Sequence, residues 1–166
     1  MFQLKSIHRE GIPRALEKVE RYRLLNEPVE AESICRDILN ADPDNQEALV
    51  LLILSLTDQF QGGISGQDPL TLIHGIKDKY KKEYYRGIIL ERKAKAALYR
   101  NTPGSNHDVF EWLEEAMTAF DIAGQISPSG NDDAILRWNA CVRTIQRHNL
   151  TPRPQEEPGH MNISLE

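Results

Sequence analysis

Several residue types on which other protein classes depend are scarce in this chain of 166 residues. Its two cysteines, Cys35 and Cys141, lie far apart and outside any Cys-X-X-Cys motif, so the sequence predicts buried reduced thiols instead of disulfides or a metal site. The longest apolar run covers residues 48–54 and is too short to span a bilayer, and the first residues lack the apolar run of a secretory signal. We therefore expect a cytoplasmic globular protein without a membrane segment.

An excess of basic residues is also missing. The net charge is -5, from 20 Lys and Arg against 25 Asp and Glu, which argues against nucleic-acid binding by the protein as a whole. The exception is the segment 77–100, where nine cations face three acids and Tyr84 and Tyr85 lie between them. This segment is either a weak signal for nucleic acid or an acidic peptide, or a solvated face paired with nearby acids such as Glu111, Glu114 and Glu115.

The short motifs of common catalytic chemistry are absent. GxGxxG, GxxxxGK[ST], HExxH and GxSxG do not occur, and the glycines at 62, 63 and 66 lack the preceding strand and the lysine of a phosphate site. The histidines are scattered singly, at positions 8, 74, 107, 148 and 160. The sequence therefore predicts a protein that is not an enzyme, with no catalytic, cofactor-binding or metal-binding residues.

Apolar residues recur almost everywhere at the spacing of a helix, which predicts an all-α protein. Capping boxes at Asp44/Glu47 and Asp108/Glu111 predict the start of two helices, and the residues from Asn149 onward predict a flexible tail because they are polar and rich in proline. The predicted helices cover about 13–26, 28–41, 45–60, 69–80, 82–100, 108–125 and 131–148.

Two of these helices share an internal repeat. Ala31, Cys35, Ile38 and Pro43 have offsets of 0, 4, 7 and 12 residues, and the same offsets separate Ala116, Phe120, Ala123 and Pro128. A small residue lets two antiparallel helices approach, larger ones fill the groove between helix pairs, and proline ends the helix. This pattern resembles the second helix of the tetratricopeptide repeat family, and Tyr22 and Gly87 match the family's aromatic and small positions in the first helix.

The resemblance implies a short α-α superhelix in residues 1–148, made of about three helix hairpins and a C-terminal capping helix, followed by the tail 149–166. The middle unit is expected to have an irregular second helix because of its glycines. Trp138 replaces a small residue of the repeat and is predicted to pack on the apolar stripe of the capping helix, whereas Trp112 lies beside its stripe and is either exposed or in contact with a neighbouring hairpin.

The resemblance also implies a function, that of an adaptor or chaperone-like module that binds a peptide or helix of another protein in a concave groove. The family's groove positions fall here on Glu20, Arg23, Thr57, Asp58, Lys81, Tyr84, Arg92, Asn139 and Arg143. Asn139 and Arg143 are four residues apart and share a helix face that would suit a carboxylate. Two alternatives stay open: a nucleic-acid-associated regulator that uses residues 77–100, and a structural protein that associates with itself.

Overall fold

A computed structural model describes residues 2–63, 67–101 and 103–154, and it confirms the all-α prediction. Within these residues every regular element is an α-helix or a 3-10 helix, and none of the helices has the length and hydropathy needed to span a membrane. The α-helices are α1 (Ile12–Leu24), α2 (Pro28–Ala41), α3 (Gln46–Asp58), α4 (Lys79–Arg100), α5 (Asn106–Gln125) and α6 (Asp133–His148).

The helices pack in chain order. α2 lies between α1 and α3, α3 also contacts α4, and α5 lies between α4 and α6. Because each helix packs chiefly on its neighbours in the sequence, the described residues form a superhelical arrangement. One buried cluster joins α1, α2 and α3, and another joins α4, α5 and α6.

The repeated positions lie inside these two clusters. Ala31, Cys35, Ala116 and Phe120 are all fully buried or nearly so, as the sequence predicts. Packing is very close at Gly87 of α4, where an added Cβ would lie 2.5 Å from an atom of the Phe120 ring. Any larger residue would push α4 and α5 apart, so this glycine fits the role of the small residue at the crossing of the two helices.

The middle unit departs from a regular hairpin, as expected. Its second helix is a 3-10 helix, Pro69–Gly75, which the Asp68 side chain caps and which ends five residues before the predicted end near Tyr80. Gly75 approaches α3 so closely that an added Cβ would lie 3.0 Å from a methyl carbon of Leu49. The Gln46 side chain then fixes the turn, because its Nε2 donates to the carbonyl oxygen of Gly75.

Two predicted capping boxes are wrong. The cap of α3 is Asn45, whose side chain accepts a hydrogen bond from the backbone nitrogen of Ala48, and not Asp44. α5 begins at Asn106, ahead of the predicted cap Asp108. α4 begins at Lys79, after its cap Asp78, and not at Lys82. Asn45 and Asp78 have the extended backbone and the side-chain hydrogen bond of an N-cap, whereas Ser105, which precedes α5, has a helical backbone.

The first residues of the predicted tail contact the rest of the fold at two points, although among residues 149–154 only Leu150 is buried. Leu150 is buried in the cluster of α4, α5 and α6, and Arg153 forms an ion pair at 2.5 Å with Asp108 and one at 3.4 Å with Glu111. The rest of the predicted tail, 155–166, lies outside the described residues. Trp138, which was predicted to pack on the apolar stripe of the capping helix, has 37% of its surface exposed. Trp112 is half-buried under the Lys93 ammonium.

Candidate functional site

A cleft with a volume of about 650 Å³ lies between α1, α3 and α4. It brings together five of the nine predicted groove residues from three helices. Those five are Glu20, Arg23, Thr57, Asp58 and Arg92. The remaining lining residues are Leu24, Asn26, Phe60, Gln61, Lys95 and Ala96.

A carboxylate between two guanidinium groups forms the centre of the cleft. Arg23 Nε donates to Asp58 Oδ2 at 2.7 Å, and Arg92 Nη1 donates to Asp58 Oδ1 at 2.5 Å. Arg92 Nη1 also lies 2.7 Å from the Thr57 hydroxyl oxygen, which accepts from it. Asp58 thus ties the last turn of α3 to both α1 and α4, and the three charged side chains are each held in one orientation.

Partial burial shapes the electrostatics of this centre. Burial lowers the pKa of Arg92, and the neighbouring Asp58 carboxylate offsets part of that change. The three charged side chains keep between 20% and 28% of their surface exposed, so they line the cleft and remain open to a ligand. Arginine stays charged at neutral pH whatever the direction of such a shift.

The cleft carries one more positive than negative charge. Its cations are Arg23, Arg92 and Lys95, and its acids are Glu20 and Asp58. The cleft is therefore positive, whereas the whole chain has a net charge of -5. The walls also offer apolar contact from Leu24, which is 89% exposed, and from Phe60 and Ala96.

A second charged group continues from the cleft toward α6. Glu91 of α4 is fully buried, Lys95 donates to its Oε1, and Arg137 of α6 lies 3.5 Å from its Oε2. Burial lowers the pKa of Arg137, but the Glu91 charge and a hydrogen bond to Tyr84 outweigh that effect and raise it. This group was not predicted from the sequence, although the i,i+4 spacing of Glu91 and Lys95 was a signal for half of it.

Two predicted groove residues of α4 lie outside the cleft. Lys81 is exposed in the first turn of α4, where its backbone nitrogen donates to Asp78. Tyr84 stacks on Tyr80 with ring centroids 5.6 Å apart and also contacts Phe120. Lys81 therefore contributes to the start of α4 through its backbone and Tyr84 packs on the core, and neither lines the cleft.

The two predicted residues of α6 are also elsewhere. Asn139 lines a separate hollow between α5 and α6, and Arg143 is exposed one turn further along the helix. They do share a face of α6, as their spacing predicts. That face is turned away from Arg137, the residue through which α6 contacts α4.

Most of the lysines and arginines in residues 77–100 contact other groups of the chain. The acids with which they pair are not the predicted Glu111, Glu114 and Glu115. The contacts are Lys77 with Asp44, Arg86 with Glu83, Arg92 with Asp58, Lys95 with Glu91, Lys93 with the Trp112 ring, and Arg100 with the Phe60 carbonyl.

Among the residues that the structure describes, no group of three or more His, Cys, Asp or Glu side chains is arranged to hold a metal ion. The residues that line the cleft offer charge pairing, hydrogen bonding and apolar contact. Comparison of the chain with protein-family models, with curated proteins and with solved structures gave no match.

Proposed function

We propose that this chain is a non-enzymatic protein-binding module, an adaptor or chaperone-like protein, that holds an extended segment of another protein in the cleft between α1, α3 and α4. The observation that carries the proposal is the convergence of Glu20, Arg23, Thr57, Asp58 and Arg92 on one cleft. We also propose, from the repeated offsets and the stacked helices, that the chain is a divergent member of the tetratricopeptide repeat family.

The cleft chemistry favours a particular kind of segment. Its excess of one positive charge suits an acidic side chain, and the exposed Leu24 beside Phe60 suits an aliphatic one. Arg23 and Arg92 are already oriented by Asp58, so a ligand carboxylate would meet donors that lose little freedom on binding. The proposed ligand is therefore an extended segment in which an acidic residue neighbours an aliphatic one.

Selection from a library of random displayed peptides tests this proposal without knowledge of the natural partner. We expect the enriched peptides to contain an acidic residue next to an aliphatic one. The Kd of an enriched peptide should rise about tenfold in Leu24→Asp, which adds a carboxylate and removes apolar contact at the cleft, and should fall in Glu20→Lys. Both residues are exposed, so neither change disturbs the core.

Lys18→Glu is the matched control. Lys18 lies on α1, about 200° around the helix from Glu20, and lines a different hollow. This substitution changes the net charge more than Leu24→Asp does, yet it should leave the Kd unchanged. Equal weakening by Lys18→Glu and Leu24→Asp would show a general charge effect, and a peptide insensitive to Leu24→Asp and Glu20→Lys would remove the cleft from the proposal.

A further inference from the structure

The last helix of the stack is covered less than the others. α2 packs between α1 and α3, whereas α6 packs closely on α5 and reaches α4 through the Arg137–Glu91 ion pair. Ala134 and Cys141 mark the buried side of α6. A solenoid normally closes with a helix whose outer side is polar, so an apolar outer side here would need an explanation.

Such an apolar side exists. Ile135, Trp138 and Val142 are spaced i, i+3 and i+7 and form one stripe along α6, which we call the α6 stripe. Ile135 is 53% exposed and Trp138 is 37% exposed. Next to the α6 stripe is a hollow of about 410 Å³, which it shares with the end of α5. The hollow is open above Gly124, where an added Cβ would have no neighbour within 4 Å.

The charges of α6 identify an occupant. The N-terminal end of the helix is acidic, with Asp132 and Asp133, and the C-terminal end is basic, with Arg143 and Arg147. A second α6 lying antiparallel would bring the acidic end of one helix to the basic end of the other, and the two helix dipoles would also oppose each other favourably. A second copy of this chain is therefore complementary in charge to the first.

The α6 stripe is also self-complementary in position. A two-fold axis perpendicular to α6, level with the point between Trp138 and Asn139, generates an antiparallel second helix. This rotation places Ile135 opposite Val142 of the second copy. The same rotation brings Asp132 within two residues, about 3 Å along the axis, of Arg143 of the other helix. Both charged residues are exposed and lie on the same flank of the α6 stripe, so each can pair with its counterpart.

From these observations we propose that two copies of this chain pair in solution through antiparallel α6 helices. The α6 stripes form the apolar centre of the interface, and Arg143 of each copy pairs with Asp132 of the other. The surface is separate from the cleft between α1, α3 and α4, so this proposal stands or falls independently of the proposed function.

Sedimentation of the full chain over about two orders of magnitude in concentration tests the proposal. We expect a monomer–dimer equilibrium whose Kd rises about tenfold or more in Ile135→Asp. Leu25→Asp is the matched control, because Leu25 is an exposed apolar residue at the other end of the molecule, and it should leave the Kd unchanged. Far-UV circular dichroism of each variant confirms that it is folded.

A charge exchange gives a sharper test. Arg143→Asp alone and Asp132→Arg alone would each place like charges opposite one another in a homodimer, so each should be monomeric. Mixed in equal amounts, the two variants should form a heterodimer, because both contacts are then between opposite charges. In a Trp112→Phe background, Trp138 is the remaining tryptophan, and its fluorescence should shift to the blue on mixing.

Three results would overturn the proposal. A wild-type chain that is monomeric at every concentration would do so, as would a dimer unaffected by Ile135→Asp. Single variants that fail to associate on mixing would reject the antiparallel arrangement, and the α6 stripe would then be assigned to a helix of another protein or to the chain's own residues 155–166.

Discussion

The two helix pairs that share the repeated offsets fill their centres in opposite ways. In the first pair, Val19 of α1 and Cys35 of α2 belong to one buried cluster. In the second pair, Gly87 of α4, whose side chain is a single hydrogen, meets the ring of Phe120 of α5. The same repeated spacing is thus compatible with two ways of dividing the side-chain volume between the two helices of a pair. The constraint is on the total volume between the helices, because protein interiors are close-packed.

Truncating the matching position of the second helix in each pair, Cys35 and Phe120, should separate the two units most clearly. Phe120→Ala deletes a ring that is almost fully buried and contacts Tyr84, and we expect a loss of about 3 to 5 kcal/mol in the free energy of unfolding. Cys35→Ala deletes one buried sulfur and should cost about 1 kcal/mol. Urea denaturation of both variants measures the difference. Equal losses in the free energy of unfolding would show that Phe120 and Cys35 contribute equally to stability, against the difference in their buried volume.

Adding one methyl group to a helix should have opposite signs at two glycines. Gly87→Ala places a Cβ 2.5 Å from the Phe120 ring and should cost about 1 to 3 kcal/mol through overpacking. Gly124→Ala, at a helical glycine with open space around it, should be neutral or stabilise by up to about 1 kcal/mol. Thermal denaturation compares the two. A tolerated Gly87→Ala would show that α4 and α5 separate easily, and the contrast with the first helix pair would disappear.

The repeated positions could be predicted because burial imposes the 3.6-residue period on the sequence itself. Cap positions could not be predicted to the residue. Asp44 and Asn45 are adjacent and equally suitable by type, but Asn45 has the extended backbone of an N-cap, with φ -66° and ψ 102°. That choice follows the turn after α2, which is closed by hydrogen bonds from the backbone nitrogen and the side-chain amide of Asn45 to Asp42.

The predicted groove residues line the cleft where the register of a helix is fixed by its buried side, as for Glu20 and Arg23 of α1. They lie elsewhere where the helix is longer or rotated relative to the family pattern. Lys81 lies eleven residues before Arg92, about 16 Å along α4, so it cannot reach the same cleft. On α6 the residue that faces α4 is Arg137, and Asn139 is turned by about 200° from it. The family pattern does not give this rotation, because it is set by the packing of α6 on its own neighbours.

The exposed Trp138 has a related cause. Ala134, Trp138, Cys141 and Ile145 form one helical stripe in the sequence, and this spacing predicted a buried tryptophan. The middle of the stripe faces α5 at Cys141, but Trp138 lies at its edge, about 60° from Cys141 around the helix. An edge position is buried only if another element covers it. The exposure of Trp138 could therefore be predicted only with knowledge of which elements pack next to α6.

The smallest expected difference between the two units concerns their cysteines. Burial, as the largest cause, raises the pKa of both Cys35 and Cys141 to about 12. A thiol with a raised pKa stabilises the fold fully below its unfolded pKa of about 8.5, and that contribution is lost as the pH rises toward 12. Both units should therefore weaken in alkali, and near neutral pH each thiol should react with iodoacetamide only when its helix opens.

Opening should favour Cys141, since α6 packs on one side against α5 whereas α2 is held between α1 and α3. The Cys35→Ala variant keeps Cys141, and the Cys141→Ala variant keeps Cys35. In dilute protein, the first variant should accordingly be alkylated severalfold faster than the second, as measured by mass spectrometry. Unfolding both variants in urea provides the control, because the two thiols should then react at similar rates. Faster alkylation of Cys35 would reverse the order of stability and would show that the charged contacts from α4 to α6 hold the last helix more firmly than the apolar packing of α1 and α3 holds α2.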